Sequence, residues 1–193
     1  MIIGISGYTG SGKSILAEYL SKKLNAQIID ADKIARKIML EDFGLIAEIN
    51  EKFEMRNEKF IDFAKLGKIV FESGENLKKL NQTTFPYIIP AIKSKIGQAN
   101  PAPTLLDAPL LPLISPQEIC DFAIWVNSPI ETRIERLTKR HKLNREVVKN
   151  RIEKQMEMMP APKADDFWHF VENNSQQNTF FEAAEKIILP FYA

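Results

Sequence analysis

The stretch Gly7-Tyr8-Thr9-Gly10-Ser11-Gly12-Lys13-Ser14 constrains this chain more than any other. It fits G-x-x-x-x-G-K-[ST], and it stands between two different patterns. Ile2, Ile3, Gly4, Ile5 and Ser6 before it form a short apolar run. Ile15, Leu16, Tyr19, Leu20 and Leu24 after it recur at helical spacing. A strand–loop–helix unit is the context in which this motif carries meaning. Its glycines let the backbone turn tightly and aim N–H groups at phosphate oxygens. The helix N-terminus adds the positive end of a dipole. Lys13 can reach the β- and γ-phosphates, and Ser14 can hold Mg²⁺. Gly10, Ser11, Gly12, Lys13, Ser14 and Ile15 are therefore the expected nucleotide-binding residues, and ATP with Mg²⁺ is the expected cofactor. A plain Gly-rich turn before an ordinary helix is the alternative; the agreement of pattern and context sets it aside.

At 193 residues, one α/β domain spanning 1–193 is expected, with a sizeable core and room for a small helical insert. A net charge of +1 gives no strong field to draw nucleic acid or a membrane surface, so any basic surface must be local. The lone cysteine, Cys120, leaves no internal disulfide and fits a reducing compartment. We read it as a small apolar filler rather than a catalytic thiol. No basic segment precedes the first strand, and no apolar run approaches the roughly 18 residues of a membrane span. The expectation is a cytoplasmic enzyme acting on a small molecule, with no nucleic-acid or membrane partner, as a monomer or weak homo-oligomer.

Residues 26–29 read as a second short strand, ending at Asp30-Ala31-Asp32. Ile34, Ala35, Ile38 and Met39 then recur at helical spacing. Asp30 is either the N-cap of that helix or a functional acid. Asp32 is read as functional: at the carboxyl end of a strand adjacent to the P-loop strand it would face the γ-phosphate, where ligands collect in α/β sheets. A carboxylate there can accept the proton of an attacking hydroxyl. Arg36, one turn on, either pairs with Asp32 or touches an anionic substrate.

From about 41 to 100 the chain reads as helix throughout, with apolar stripes at Leu45, Ile46, Ile49 and Phe53, across 60–71, and across 75–80. Pro86-Tyr87-Ile88-Ile89-Pro90 is expected to open a helix running to Ala99. An all-helical region in this place is expected to carry the acceptor substrate. Pro101-Ala102-Pro103 is a stiff turn. Thr104-Leu105-Leu106-Asp107 reads as a buried strand ending in an acid, which makes Asp107 a candidate for the magnesium shell and for substrate binding. An apolar loop, Ala108 to Pro112, follows, then a strand over 122–126 with Trp125 in the core.

Ser128 and Pro129 read as cap and first turn of a helix carrying Arg133, Arg136, Lys139 and Arg140. Arg133 and Lys139 are expected on a solvated face. A second helix follows over 144–159. The resulting hairpin, about 137–163, is expected to be a lid that excludes water and neutralises charge over the triphosphate. His141 and His169 lack neighbours at metal-ligand spacing and read as structural or surface residues. Pro160-Ala161-Pro162 breaks the chain, a last strand is expected over 168–172, a turn over 173–175, and a closing helix over 178–190. The whole reads as a three-layer α/β P-loop NTPase fold with a parallel sheet, a helical substrate-binding insert and a helical lid.

Several stretches together resemble the dephospho-CoA kinase family, over almost the whole chain. The most specific is Ile29-Asp30-Ala31-Asp32-Lys33-Ile34-Ala35-Arg36. Others are Lys65-Leu66-Gly67 with Ile69-Val70-Phe71, Leu80-Asn81-Gln82, and Leu106-Asp107-Ala108-Pro109-Leu110-Leu111. Arg136 and Arg140, Arg151-Ile152 with Gln155-Met156, and Val171-Glu172-Asn173 keep the family's order. The resemblance implies ATP-dependent phosphorylation of the ribose 3′-hydroxyl of dephospho-CoA, the last step of coenzyme A synthesis. It implies Asp32 as the base on that hydroxyl, Arg140 as the lid arginine on ATP, and Asn173 near the adenine end of the ATP site.

The chain also departs from the family. Gly7-Tyr8 stands where Gly-Gly is usual. Phe85 replaces a histidine, Phe63 an arginine, and Pro112-Leu113-Ile114 replace an acid. After Gln155 a gap aligns Lys163 with the family lysine, and the family's Ala-Asp falls on Phe167-Trp168 or, with the gap later, on Ala164-Asp165. Most departures lie on the acceptor side. Another nucleoside or nucleotide kinase is therefore the nearest alternative, favoured by Phe63 and Phe85. A protein that binds ATP without turning it over is a second, and retention of Lys13, Ser14, Asp32, Asp107 and Arg140 speaks against it. A hydrolytic switch or motor ATPase is a third, for which no coupling elements are visible.

Overall fold

A computed structural model describes residues 1–55, 59–99, 102–174 and 176–192. In chain order the elements are β1 (Ile2–Ser6), α1 (Lys13–Leu24), β2 (Gln27–Asp30), α2 (Ala31–Glu41), α3 (Phe43–Lys52), α4 (Phe63–Glu72) and α5 (Gly74–Ala99). Then come β3 (Thr104–Asp107), two short 3₁₀ turns (Leu111–Leu113 and Pro116–Glu118), β4 (Phe122–Asn127), α6 (Ile130–His141), α7 (Arg145–Met158), β5 (Trp168–Glu172) and α8 (Gln177–Tyr192). The chain divides into two compact units, Met1–Ile29 with Gln98–Ala193, and Asp30–Gly97.

The first unit is built on a five-stranded parallel sheet of order β2-β3-β1-β4-β5. Parallel strands are covered on both faces and so read as unbroken apolar runs rather than alternating ones. In β4, Phe122 through Val126 are all buried. On one face Ile3, Ile5, Leu105, Phe122, Ile124, Val126 and Val171 pack with Leu16, Leu20 and Leu24 of α1 and Phe180, Ala184 and Ile188 of α8. On the other face Gly4 leaves room for the first 3₁₀ turn: a Cβ there would stand 2.5 Å from Leu111 Cδ2 and 3.2 Å from Cys120 Sγ. Trp125 on that face meets the edges of Tyr8 and Trp168 at 5.0 and 6.3 Å between ring centres.

The sheet order corrects one expectation. β3 lies between β2 and the P-loop strand, so β2 is an edge strand and not a neighbour of β1. The crossover through α1 skips one strand position, and a strand from 75 residues later fills it. The carboxyl end beside the P-loop therefore belongs to β3, which pairs Asp107 with Ile5. Asp30, left open between two roles, closes β2 and caps α2, its Oδ1 accepting from Lys33 N at 2.9 Å.

The second unit is helical, as the periodicity indicates. Leu45, Ile46, Ile49, Phe53, Met55, Ile61, Leu66 and Val70 form its core. Asp42 caps α3 by accepting from Leu45 N, and Asp62 caps α4 by accepting from Ala64 N and Lys65 N. α5 differs from expectation, running unbroken through Pro86 and Pro90. Each proline removes one backbone donor. In the turn ahead of Pro86 the Thr83 and Thr84 hydroxyls bond back to the Lys79 and Asn81 carbonyls. Leu80 and Tyr87 of α5 pack on the core of the unit, and Thr83, Thr84 and Ile92 are buried, so tertiary contacts hold the helix across the two prolines.

Two smaller readings also change. Ile15, placed on the buried stripe of α1 by its spacing, is 48% exposed. Ser128 does not cap α6; Pro129 holds that position, and the Ser128 hydroxyl donates to the Asn173 carbonyl at 3.0 Å. The turns expected at 101–103 and 173–175 include Pro101 and Ser175, which lie outside the described residues. No described helix is long and apolar enough to cross a membrane.

Cys120 behaves as a packing residue. Burial, with Asp121 adding to it, pushes the thiol up to about 12. Since only the thiolate reacts, the folded protein at pH 8 should label with an aromatic disulfide reagent far more slowly than the urea-unfolded chain. Equal rates would show that the segment holding Cys120 opens freely.

Candidate functional site

The loop between β1 and α1 is shaped by backbone that side chains rarely adopt. Gly10 and Gly12 have φ of 81° and 102°. Gly12 is also the N-cap of α1, and a Cβ on it would collide with the Asn173 amide. The Tyr8 carbonyl accepts from Ser11 N at 3.1 Å and from the Lys13 Nζ at 3.3 Å, so the ammonium folds back across the loop. Lys13 is buried, and the first turn of α1 points its donors into the same place.

β3 brings an acid to the loop. The Ser14 hydroxyl donates to Asp107 Oδ2 at 2.9 Å. A hydroxyl and a carboxylate beside a phosphate loop are the hard oxygen donors that Mg²⁺ takes. Among the described residues no group of three or more His, Cys, Asp or Glu could hold a metal.

Behind the loop lies a polar network. Arg136 of α6 donates to the carbonyls of Gly10 and Ser11 at 3.2 and 3.3 Å, to the Ser128 hydroxyl at 3.3 Å and to Asn173 Oδ1 at 3.0 Å. Asn173 Nδ2 donates to the Ser11 carbonyl at 2.8 Å, and its backbone N–H to the Asn127 carbonyl. A trans peptide is planar with its N–H opposite its C=O. Tying the Ser11 carbonyl backwards therefore turns the N–H of Gly12 the other way, while the N–H of Ser11 is taken by the Tyr8 carbonyl. Burial pushes the Arg136 guanidinium below its ordinary value, but arginine keeps its charge.

α6 and α7 form a hairpin around Ile134, Leu137, Val148 and Ile152. α7 meets the loop through Gln155, whose Oε1 accepts from Thr9 N at 2.9 Å. Arg140 and Lys139 are exposed in the last turn of α6. Arg133 is not on the solvated face expected of it. It is 2% exposed, its guanidinium 5.0 Å over the Tyr8 ring and its Nη2 3.1 Å from Met156 Sδ. The helical period explains this: Arg133 and Leu137, one turn apart, both face Gly10. His169 packs its ring against Phe122, and His141 is exposed.

In the second unit, Asp32 is exposed in the first turn of α2, rather than in the loop ahead of it. Arg36 sits one turn on, its guanidinium 5.6 Å over the ring of Phe63. Glu48 accepts from Lys52 Nζ at 2.6 Å and from the Tyr87 hydroxyl at 3.1 Å, and Lys52 holds its carboxyl below the usual carboxylate range.

Sequence reading expects Asp107 near the P-loop, and its carboxylate there accepts from the Ser14 hydroxyl. It missed that Ser128, Arg136 and Asn173 converge behind the loop, and that Asn173 is 5% exposed with both ends of its amide bound to protein. The signal in the sequence is Arg136, which stands on the same face of α6 as Arg133 and Arg140 and keeps the family's order with Asn173.

A parallel α/β sheet, a phosphate loop opening α1 on Lys13-Ser14, and an acid on the neighbouring strand define a P-loop phosphotransferase. The comparisons with known proteins narrow this class. Residues 1–178 match the model of the CoaE, dephospho-CoA kinase, family. The chain is 33% identical over 189 residues to a dephospho-CoA kinase of Fusobacterium nucleatum, covering 96% of each chain. It is 35% identical over 172 residues to one from Carboxydothermus hydrogenoformans, covering 86% of this chain and 82% of that one. It superposes on the dephospho-CoA kinase structure from Campylobacter jejuni with a TM-score of 0.61 at 26% identity, covering 99% of this chain and 96% of the other. The chain belongs to the dephospho-CoA kinase family.

Asn173→Ala removes the amide that joins Ser11 to Arg136 and leaves buried partners unpaired. We expect it to cost about 1–3 kcal/mol of folding stability, read from a shifted urea midpoint. An unchanged midpoint would show that the loop does not lean on this residue.

Proposed function

We propose that this protein transfers the γ-phosphoryl group of ATP to the ribose 3′-hydroxyl of dephospho-CoA, giving coenzyme A and ADP. The observation that carries phosphoryl transfer is the Ser14–Asp107 hydrogen bond beside Lys13 on the P-loop. Membership of the dephospho-CoA kinase family supplies the acceptor.

In this reading, the loop of Gly10 to Ser14 and the Lys13 ammonium hold the triphosphate, with Ile15 following in the first turn. Ser14 and Asp107 are the residues that hold Mg²⁺, which when bound neutralises charge on the phosphates. Asp32 accepts the proton of the 3′-hydroxyl, and Arg36 binds the acceptor's anionic groups. Arg140, on the lid of about 137–163, meets the charge on the transferring group. Arg136 and Asn173 hold the loop in shape from behind. The helical region of about 41–100 takes the acceptor. The near-neutral net charge supports a small-molecule enzyme of the cytoplasm, monomeric or weakly self-associating, without nucleic-acid or membrane partners.

A second acceptor remains as a reading because Arg36 lies over the ring of Phe63, where the family resemblance places an arginine. An ADP-release assay with Mg-ATP separates the two. Dephospho-CoA should be turned over, and uridine, adenosine and nucleoside monophosphates should not; turnover with one of these alone would move the acceptor and keep the kinase.

Two variants test the roles. Lys13→Ala should nearly abolish turnover, and near-normal activity would sink the mechanism. Asp32→Asn should lower kcat by on the order of 10²–10⁴-fold with ATP affinity little changed. A collapse of ATP affinity instead would make Asp32 a binding or structural residue.

A further inference from the structure

Among the described residues only two charged side chains are buried, Lys13 and Arg133, and both are cations set against the P-loop. Lys13 has a role in the reading above. Arg133 has none, and its surroundings do not account for its charge. Its backbone packs on the loop: a Cβ on Gly10 would lie 3.2 Å from Arg133 Cβ and 3.2 Å from its carbonyl oxygen. The guanidinium is held between the face of the Tyr8 ring and the sulfur of Met156. Both are weak, neutral partners. Its Nε and Nη1 are buried without a hydrogen-bond partner among the described residues.

A buried charge is costly unless something of opposite sign balances it. Burial depresses the guanidinium's proton affinity, yet arginine stays protonated at any working pH. The charge is therefore present in the folded protein, and among the described residues no carboxylate pairs with it. The feature built to receive negative charge that Arg133 packs against is the loop itself. We propose that Arg133 is a positioning residue for nucleotide: its buried charge, clamped between Tyr8 and Met156 behind Gly10, is balanced by the polyphosphate on the front of the loop. It strengthens binding through the field it sets up there, without contacting the ligand. Tyr8, the residue that departs from the family's usual Gly-Gly, supplies the ring that seats it. The assignment rests on reading the loop as a nucleotide site.

The test compares wild type with Arg133→Met, which keeps the length and removes the charge, and with Arg133→Lys, which keeps the charge. Binding of Mg-ATP, ADP, AMP and inorganic tripolyphosphate is measured by calorimetry, and thermal melting is recorded without ligand. Removing an unbalanced buried charge should leave the Arg133→Met melting temperature at or above that of wild type. Its affinity for ATP and tripolyphosphate should fall about tenfold, with a smaller loss for ADP and the least for AMP, because the interaction scales with ligand charge. Arg133→Lys should retain most of the affinity. In turnover, KM for ATP should rise with kcat nearly unchanged. Equal affinity in wild type and Arg133→Met would overturn the proposal, as would an equal loss for AMP and ATP. So would a fall in both stability and affinity that Arg133→Lys shares, since that marks a packing role. If wild type itself bound neither ATP nor tripolyphosphate, the nucleotide-site reading would fall first and this proposal with it.

Discussion

The direction in which a few peptide groups point governs the phosphate site. A loop can offer N–H groups to an anion only if the matching carbonyls have somewhere else to go, since an unpaired buried carbonyl is as costly as an unpaired donor. Here the carbonyls of Gly10 and Ser11 are taken by Arg136 and Asn173, and that of Tyr8 by Lys13 and Ser11 N. The positive φ values at Gly10 and Gly12 make this orientation reachable. They do not by themselves select it; the network behind the loop does.

That network explains why the strands stand where they do. Ser128 follows β4 and Asn173 follows β5, and the pairing of Asn127 with Glu172 sets the two side by side. β1 pairs with β4 on one side and β3 on the other, so the loop leaving β1 has its supports on the β4–β5 side and its acid, Asp107, on the β3 side. The apolar faces of β1, β4 and β5 with α1 and α8 fix this register, because a slip of one residue would turn Ile3 and Ile5 away from those helices onto the opposite face, where Leu111 and Cys120 leave room only for Gly4. Core packing and site geometry are thus one constraint seen at two places.

What the sequence revealed follows the range of the interactions. The P-loop, the strand 104–107 ending in Asp107, and the stripe Leu45, Ile46, Ile49, Phe53 rest on neighbours within a turn or two, and each could be read from spacing. Strand order could not, since nothing in residues 26–29 records that a strand 75 residues on will lie between them and β1. The Arg136–Asn173–Ser11 convergence joins residues as far as 162 apart in the chain. Local propensity reads Pro86 and Pro90 as a boundary, yet α5 runs through both with Leu80 and Tyr87 against the helical core. Arg133 shows the same limit in the other direction. A charged residue among Arg136, Lys139 and Arg140 looks solvated by composition, and only the face of α6 that meets Gly10 shows otherwise.

The uneven retention of family features has a physical reading as well. In the proposed reading, phosphate is held largely by backbone and one lysine, with Ser14 and Asp107 turned to Mg²⁺, so the site tolerates change only where a side chain is not part of it. Tyr8 fits this rule: its carbonyl serves the loop whatever its side chain, and the ring is free to fill space against Trp125 and beneath Arg133. In the same reading acceptor recognition depends on side chains instead, and most departures from the family pattern fall on that side, at Phe63, Phe85 and 112–114. With Phe63 in place of an arginine, the ring under the Arg36 guanidinium fixes that cation's direction without competing for an anion. One cation held by a ring can do part of the work of two that repel each other, which makes the loss of an arginine at this position compatible with an anionic acceptor.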